Sequence, residues 1–147
     1  MVGLTIRDAK LSDAPALAAL MCELGYETRP VEMEARLKLI LSNPSYKTFV
    51  AVMDGCICGM IGTLRYPSYE HNDLSGRILA LVTLSSARRR GIGRALIATA
   101  EKDFAQKGIR RVGLDTRLTR EDAHKFYLSL GYERNGWRFV KQLSASN

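Results

Sequence analysis

The stretch that most restricts the fold runs from Arg77 to Leu118. "RILALVTL" (77–84) is a nearly continuous apolar run with β-branched members, the pattern of a buried central strand. "SSARRRGIG" follows, and then Leu96, Ile97, Ala100 and Phe104 recur at the spacing of one helix face that stops near Gly108. "RRVGLDTRL" (110–118) reads as the next strand. A strand, a long helix and a second strand require a crossover, which makes the two strands a parallel pair. The chain therefore needs a mixed sheet with a helix lying across it.

The flanking segments fill in that sheet. A short alternating strand at 4–7 leads to Ser12, which can cap a helix carrying Leu17, Leu20, Met21 and Leu24 on one face. A second helix spans 31–41 and ends at Asn43-Pro44. "YKTFVAVMDGCICGMIGTLRY" holds two apolar runs joined by Asp54-Gly55, a dipeptide suited to the positive φ angles of a tight hairpin. Residues 66–76 are polar and turn-rich, hence a loop. "REDAHKFYLSLGY" is a short helix ended by Gly131, "GWRFVKQL" (136–143) a last strand, and 132–134 a candidate further strand. The order β-α-α-β-β-β-α-β-α-β gives an α/β protein of mixed α+β character. Its expected core is a mixed, mostly antiparallel sheet of six to seven strands flanked by about four helices, in one domain over 1–147.

Composition narrows the function. No basic start followed by an apolar run, and no eighteen-residue apolar stretch, is found, so a cytoplasmic protein with no membrane partner is expected. Cys22, Cys56 and Cys58 lack metal-ligand spacing and read as reduced thiols; no metal is expected. A net charge of +7 favours anionic partners, and four of the 22 basic residues lie between Arg88 and Arg94. A nucleic-acid patch is disfavoured, because no aromatic residue interleaves those arginines as a single-strand platform would need.

A strand running through glycines into a helix is a device for anions. The first turn of a helix leaves N–H groups without intrahelical partners, and the peptide dipoles add partial positive charge there. Gly91 and Gly93 have no Cβ to keep a phosphate at a distance. A Walker loop would need Gly-Lys-[Ser/Thr], but Arg94 and Ala95 follow Gly93. A dinucleotide fingerprint would need a small residue where Leu96 stands.

Arg88-Arg89-Arg90-Gly91-Ile92-Gly93 resembles the acyl-CoA signature R/Q-x-x-G-x-G/A of the GNAT superfamily of N-acetyltransferases. Ala123, Phe126, Tyr127, Gly131 and Tyr132 are similar to the family's A-x-x-F-Y-x-x-x-G-[FY] element, and the remaining segments follow in family order over nearly the whole chain. "CEL" near Cys22, "GMIG" (59–62) and the tail from Asp122 look most like the aminoalkylphosphonate N-acetyltransferase branch and its small-amine relatives.

The resemblance implies the GNAT fold, acetyl-CoA as co-substrate and acetyl transfer to a primary amine by direct attack in a ternary complex. It places pantetheine along the backbone of Leu81, Val82 and Thr83. The pyrophosphate falls at Arg88, Arg89, Arg90, Gly91, Ile92, Gly93, Arg94 and Ala95, held by backbone amides. The arginine side chains suit phosphate contact or plain solvation equally, and Phe126 belongs to the cofactor-binding set. Tyr127 is the implied acid that protonates the departing thiolate, although its place on an i, i+3, i+4, i+7 stripe also suits packing. Arg120 stands where relatives often have a pantetheine-orienting asparagine, and Ala80 where relatives carry a basic glutamate. The candidates for a base are Glu70, His71 and Asp73 in the loop before the 77–84 strand and Asp115 on the next strand, with His71 titrating in the right range for its residue type. Arg29 or Arg65 could receive an anionic acceptor, and family habit points to a homodimer. An acyl-CoA sensor without turnover and a peptide N-acetyltransferase are the alternatives.

Overall fold

The computed structural model describes residues 3–116 and 121–144. The chain divides into two compact units, 1–114 and 115–147.

The first unit carries a five-stranded sheet in the order β1-β2-β3-β4-β5: β1 (Leu4–Asp8), β2 (Tyr46–Met53), β3 (Cys56–Pro67), β4 (Leu74–Thr83) and β5 (Val112–Gly113). The first four strands pair antiparallel, and β4 and β5 pair parallel, as the crossover requires. Helices α1 (Ala14–Leu24), α2 (Pro30–Leu41) and α3 (Ile92–Gln106) belong to the same unit. Asp54 and Gly55 both have positive φ, 53° and 78°, so the two-residue hairpin between β2 and β3 forms as the sequence predicts.

Strand alternation sorts the core into two layers. Val50, Met60 and Val82 share the face that buries Leu17, Ala18 and Leu20 of α1 with Met33 and Leu37 of α2. The opposite face meets α3, whose Ile92, Leu96, Ile97, Ala100 and Phe104 are all buried. Two glycines permit that contact. A Cβ on Gly59 would sit 3.2 Å from Ile92 Cγ2 and 3.3 Å from Leu96 Cδ1, and one on Gly76 would sit 2.8 Å from Phe104 Cε1. The two ends of α3 thus rest on β3 and β4 where side chains are missing.

Several boundaries depart from the sequence reading. A turn of 3-10 helix (Leu11–Asp13) contains Ser12, and α1 starts only at Ala14. Asp13, not Ser12, stands at the N-cap of α1; its side chain makes no bond into that helix and accepts two bonds from Arg7 at 2.8 and 3.0 Å and one from the Lys10 N–H at 2.9 Å. The predicted loop 66–76 shrinks to 68–73, because backbone pairing between Tyr66↔Ser75 and Pro67↔Leu74 continues through polar side chains. β5 is two residues long, and Leu118 of the predicted strand lies outside the described residues.

The second unit holds α4 (Glu121–Ser129), closed by Gly131 at φ 92° and by the Tyr132 N–H donating to Tyr127 O at 3.1 Å. The strands predicted at 132–134 and 136–143 do not form among the described residues, so the sheet has five strands rather than six or seven. Apolar alternation alone does not make a strand: Trp137, Phe139 and Leu143 remain exposed and without a ladder.

Candidate functional site

β4 supplies the first half of the site. Its parallel pairing with β5 stops at Arg77↔Gly113, so no described strand runs alongside residues 78–83 on that edge. The direction of each peptide group there follows from one bond. Leu84 N–H donates to Cys58 O at 2.8 Å, toward β3. Backbone groups alternate sides along a strand, so Val82 also faces β3 while the N–H and C=O of Leu81 and Thr83 face the open edge. Of the three predicted pantetheine residues, only Leu81 and Thr83 therefore have main-chain groups turned outward.

The edge also carries a bulge. Gly62 pairs with Ala80 and Thr63 with Ile78, leaving Leu79 as the extra, exposed residue. The insertion reverses the alternation: Ile78 shares the α3 face with Thr63, and Ala80 packs against the α1–α2 layer. Ala80 brings no carboxylate to the strand.

The second half is the turn from Thr83 into α3. Residues 85–87 make one 3-10 turn, Arg89 and Gly91 adopt left-handed φ of 65° and 78°, and α3 begins at Ile92. The Arg89 conformation costs roughly 1 to 2 kcal/mol for a residue with a Cβ. The first backbone bond of α3 is Ala95 N–H to Gly91 O at 3.0 Å. The amides of Ile92, Gly93 and Arg94 precede it and point out of the helix start, where the dipole is positive. Arg88, Arg89, Arg90 and Arg94 are exposed around this point. Arg88 pairs with Glu23 at 3.4 Å, and Arg90 Nη1 lies 3.7 Å from Met53 Sδ. Among the described residues no carboxylate pairs with Arg89, Arg90 or Arg94. The arrangement is an open strand edge leading directly into outward amides beside three cations that have no carboxylate partner among the described residues.

The model of the Acetyltransferase (GNAT) family matches residues 14–132, a span that includes β4, the turn and α4. The chain belongs to the GNAT acetyltransferase family. Members take acetyl-CoA as co-substrate, and this GNAT chain is an N-acetyltransferase. It is 33% identical over 139 residues to the aminoalkylphosphonate N-acetyltransferase of Salmonella typhimurium, covering 94% of this chain and 90% of that protein. A GNAT family acetyltransferase of Staphylococcus aureus superposes with a TM-score of 0.83 at 28% identity, over 97% of this chain and all of that one. An aminoglycoside N-acetyltransferase in complex with CoA shares the fold, with a TM-score of 0.84 at 21% identity over 97% of this chain and 95% of that one.

The other predicted residues of this acetyltransferase fall as follows. His71 is exposed in the loop 68–73. In that loop Asp73 is held by Arg111 at 2.8 Å, and this hydrogen bond keeps its carboxyl below the usual range, which makes it a poor base. Asp115, in the second unit, lies 3.6 Å from Arg138. Tyr127 and Phe126 are half-buried on α4, with Tyr127 edge-on to Phe126 at 5.4 Å and to Tyr132 at 5.9 Å. Arg120 lies outside the described residues. The two cations suggested for an anionic acceptor are both engaged: Arg29 with Glu32 at 3.4 Å, Arg65 with Pro44 O at 3.0 Å. Cys22, Cys56 and Cys58 are free thiols, and burial pushes the Cys58 thiol up. Among the described residues no cluster could hold a metal, and no helix is long and apolar enough to cross a membrane.

One participant was missed in the sequence. Glu23 of α1 touches the turn at both Ser85 and Arg88, 62 and 65 residues away. No local pattern encodes a contact of that range.

Proposed function

We propose that this enzyme transfers the acetyl group of acetyl-CoA to the primary amine of a small molecule by direct attack in a ternary complex. The observation that carries the reading is the continuity of the open β4 edge with the outward amides of residues 92–94. The edge at Leu81 and Thr83 suits the amide groups of pantetheine, which would add as a strand. The amides at the α3 start, with Arg89, Arg90 and Arg94 around them, suit the pyrophosphate.

The chemistry needs three proton movements at the reacting atoms. An amine of pKa about 9 to 10 must shed a proton before it attacks, at a cost of roughly 3 to 4 kcal/mol at pH 7. We assign that proton to His71 through water, since Asp73 and Asp115 are each engaged by an arginine and an imidazole is a stronger base than the remaining carboxylate, Glu70. The amine nitrogen then bonds to the thioester carbonyl carbon, the C–S bond breaks with its electron pair leaving on sulfur, and the nitrogen gives up a second proton to water as the neutral amide forms. Tyr127 is assigned the proton that neutralises this thiolate, on the strength of its place in the sequence element.

The 33% identical relative makes aminoalkylphosphonates the first acceptors to try. The test is a panel of aminoalkylphosphonates, simple primary amines, amino sugars and peptides, incubated with acetyl-CoA and read by product mass. Acetylation of small amines with one CoA released per product supports the proposal. Acetylation of peptide N-termini alone, or CoA binding without product from any amine, contradicts it.

A further inference from the structure

We propose that Glu23 is the positioning residue of the pyrophosphate turn, acting through the Ser85 amide, and that Arg88 serves as its brace rather than as a phosphate ligand. The inference rests on reading residues 88–95 as the cofactor cradle.

The turn has little to hold it from within. Between Leu84 and Gly91 its backbone bonds are Ala87 N–H to Leu84 O at 2.9 Å and Arg88 N–H to Ser85 O at 3.4 Å, the second at the limit of a useful bond. Two of its residues, Arg89 and Gly91, are left-handed, and for Arg89 that conformation is unfavourable. Something outside must select it.

α1 provides the selection. Glu23 Oε1 accepts the Ser85 N–H at 2.7 Å, a short charge-assisted bond at the first residue of the 3-10 turn. The same oxygen receives Arg88 Nη2 at 3.4 Å. One carboxylate thus pins the first residue of the turn and the residue just beyond its last. Arg89, Gly91 and the amides of 92–94 follow directly on the turn that the Ser85 bond fixes and the Arg88 contact braces. The same contact draws the Arg88 guanidinium toward α1, while Arg89, Arg90 and Arg94 have no carboxylate partner among the described residues. The first arginine of the R-x-x-G-x-G signature is therefore the one already committed.

The experiment titrates the full chain with acetyl-CoA and, separately, with S-acetylpantetheine, which lacks the pyrophosphate. Glu23→Leu removes the acceptor at similar volume and is expected to weaken acetyl-CoA about tenfold while leaving S-acetylpantetheine within about twofold. Glu23→Gln keeps an oxygen for the Ser85 amide and is expected to stay within about threefold of the parent, whereas Arg88→Ala, which removes the brace and keeps the 2.7 Å Ser85 bond, is expected to weaken acetyl-CoA less than Glu23→Leu does. Ser85→Pro deletes the donor N–H at a position that tolerates proline, following Leu84 at ψ 142°, and should reproduce the Glu23→Leu loss. Should Glu23→Leu fail to fold, Ser85→Pro against Glu23→Gln carries the comparison.

Equal weakening of both ligands, a Glu23→Gln loss as large as that of Glu23→Leu, or an Arg88→Ala loss exceeding that of Glu23→Leu would overturn the inference. Gly93→Val separates the two readings. If it leaves acetyl-CoA affinity intact, the cradle itself is wrong. If it abolishes binding while Glu23→Leu and Ser85→Pro do not weaken it, only the role of Glu23 falls.

Discussion

The Leu84 amide donates to the Cys58 carbonyl at 2.8 Å, and this single bond decides which main-chain groups of β4 face β3 and which face its open edge. Leu81 and Thr83 present theirs outward, two residues before the polypeptide turns toward the amides at the start of α3.

If those amides hold the pyrophosphate, bulk at Gly93 should matter more than charge at Arg89. Gly93→Val is expected to weaken acetyl-CoA binding by 2 kcal/mol or more, about thirtyfold, by blocking several backbone donors together. Arg89→Ala should cost about 1 kcal/mol or less, as befits an exposed cation. Calorimetric titration of both variants checks the order, and a larger loss for Arg89→Ala would return the weight to the side chains.

The seat of α3 is testable apart from any ligand. A methyl at Gly76 would overlap the Phe104 ring at 2.8 Å, so Gly76→Ala should destabilise by roughly 1 to 3 kcal/mol, lowering the melting temperature by several degrees. Adding Phe104→Leu should recover part of that loss. A double variant no better than the sum of the two single losses would show that the ring is not the obstacle.

Asp13 links stability to pH. Its hydrogen bonds from Arg7, aided by the Lys10 amide, hold the buried carboxyl below the usual range. The folded form thus binds its proton less readily than the unfolded form. The stabilisation is fully present above the unfolded pKa of about 4 and is lost as pH falls through the lower folded value. Asp13→Asn should lower the urea midpoint at pH 7 and narrow the gap between pH 7 and pH 3. An unchanged pH 7 midpoint would show that the pair contributes nothing net.

Tyr127 separates chemistry from packing. Loss of a proton donor to the thiolate should lower kcat of Tyr127→Phe by about a hundredfold, with KM for acetyl-CoA changed less than about threefold. Unchanged kcat with a reduced melting temperature would assign the side chain to packing, which includes the aromatic contacts with Phe126 and Tyr132.

Local signals carried most of the architecture. The 77–84 apolar run, the α3 stripe and Asp54-Gly55 each encode their element within a few residues, and each forms. The Gly91 turn was equally legible, because a left-handed glycine before a helix start is written in the residue type itself, whereas the left-handed Arg89 is not. What stayed hidden depends on distant partners. The Leu79 bulge is a mismatch between two strands, the Asp13 clasp needs Arg7 from β1, and Glu23 meets Ser85 across 62 residues. The tail 136–143 taught the converse, since its alternating apolar residues satisfy the strand pattern without forming one.

The most direct measurement is residue-resolved amide hydrogen exchange with and without acetyl-CoA. The amides of Leu81, Thr83, Ile92, Gly93 and Arg94 should slow strongly on addition of acetyl-CoA, while Val82, already turned to β3, should change little. Unchanged exchange at Leu81, Thr83 and 92–94 under saturating acetyl-CoA would contradict the account.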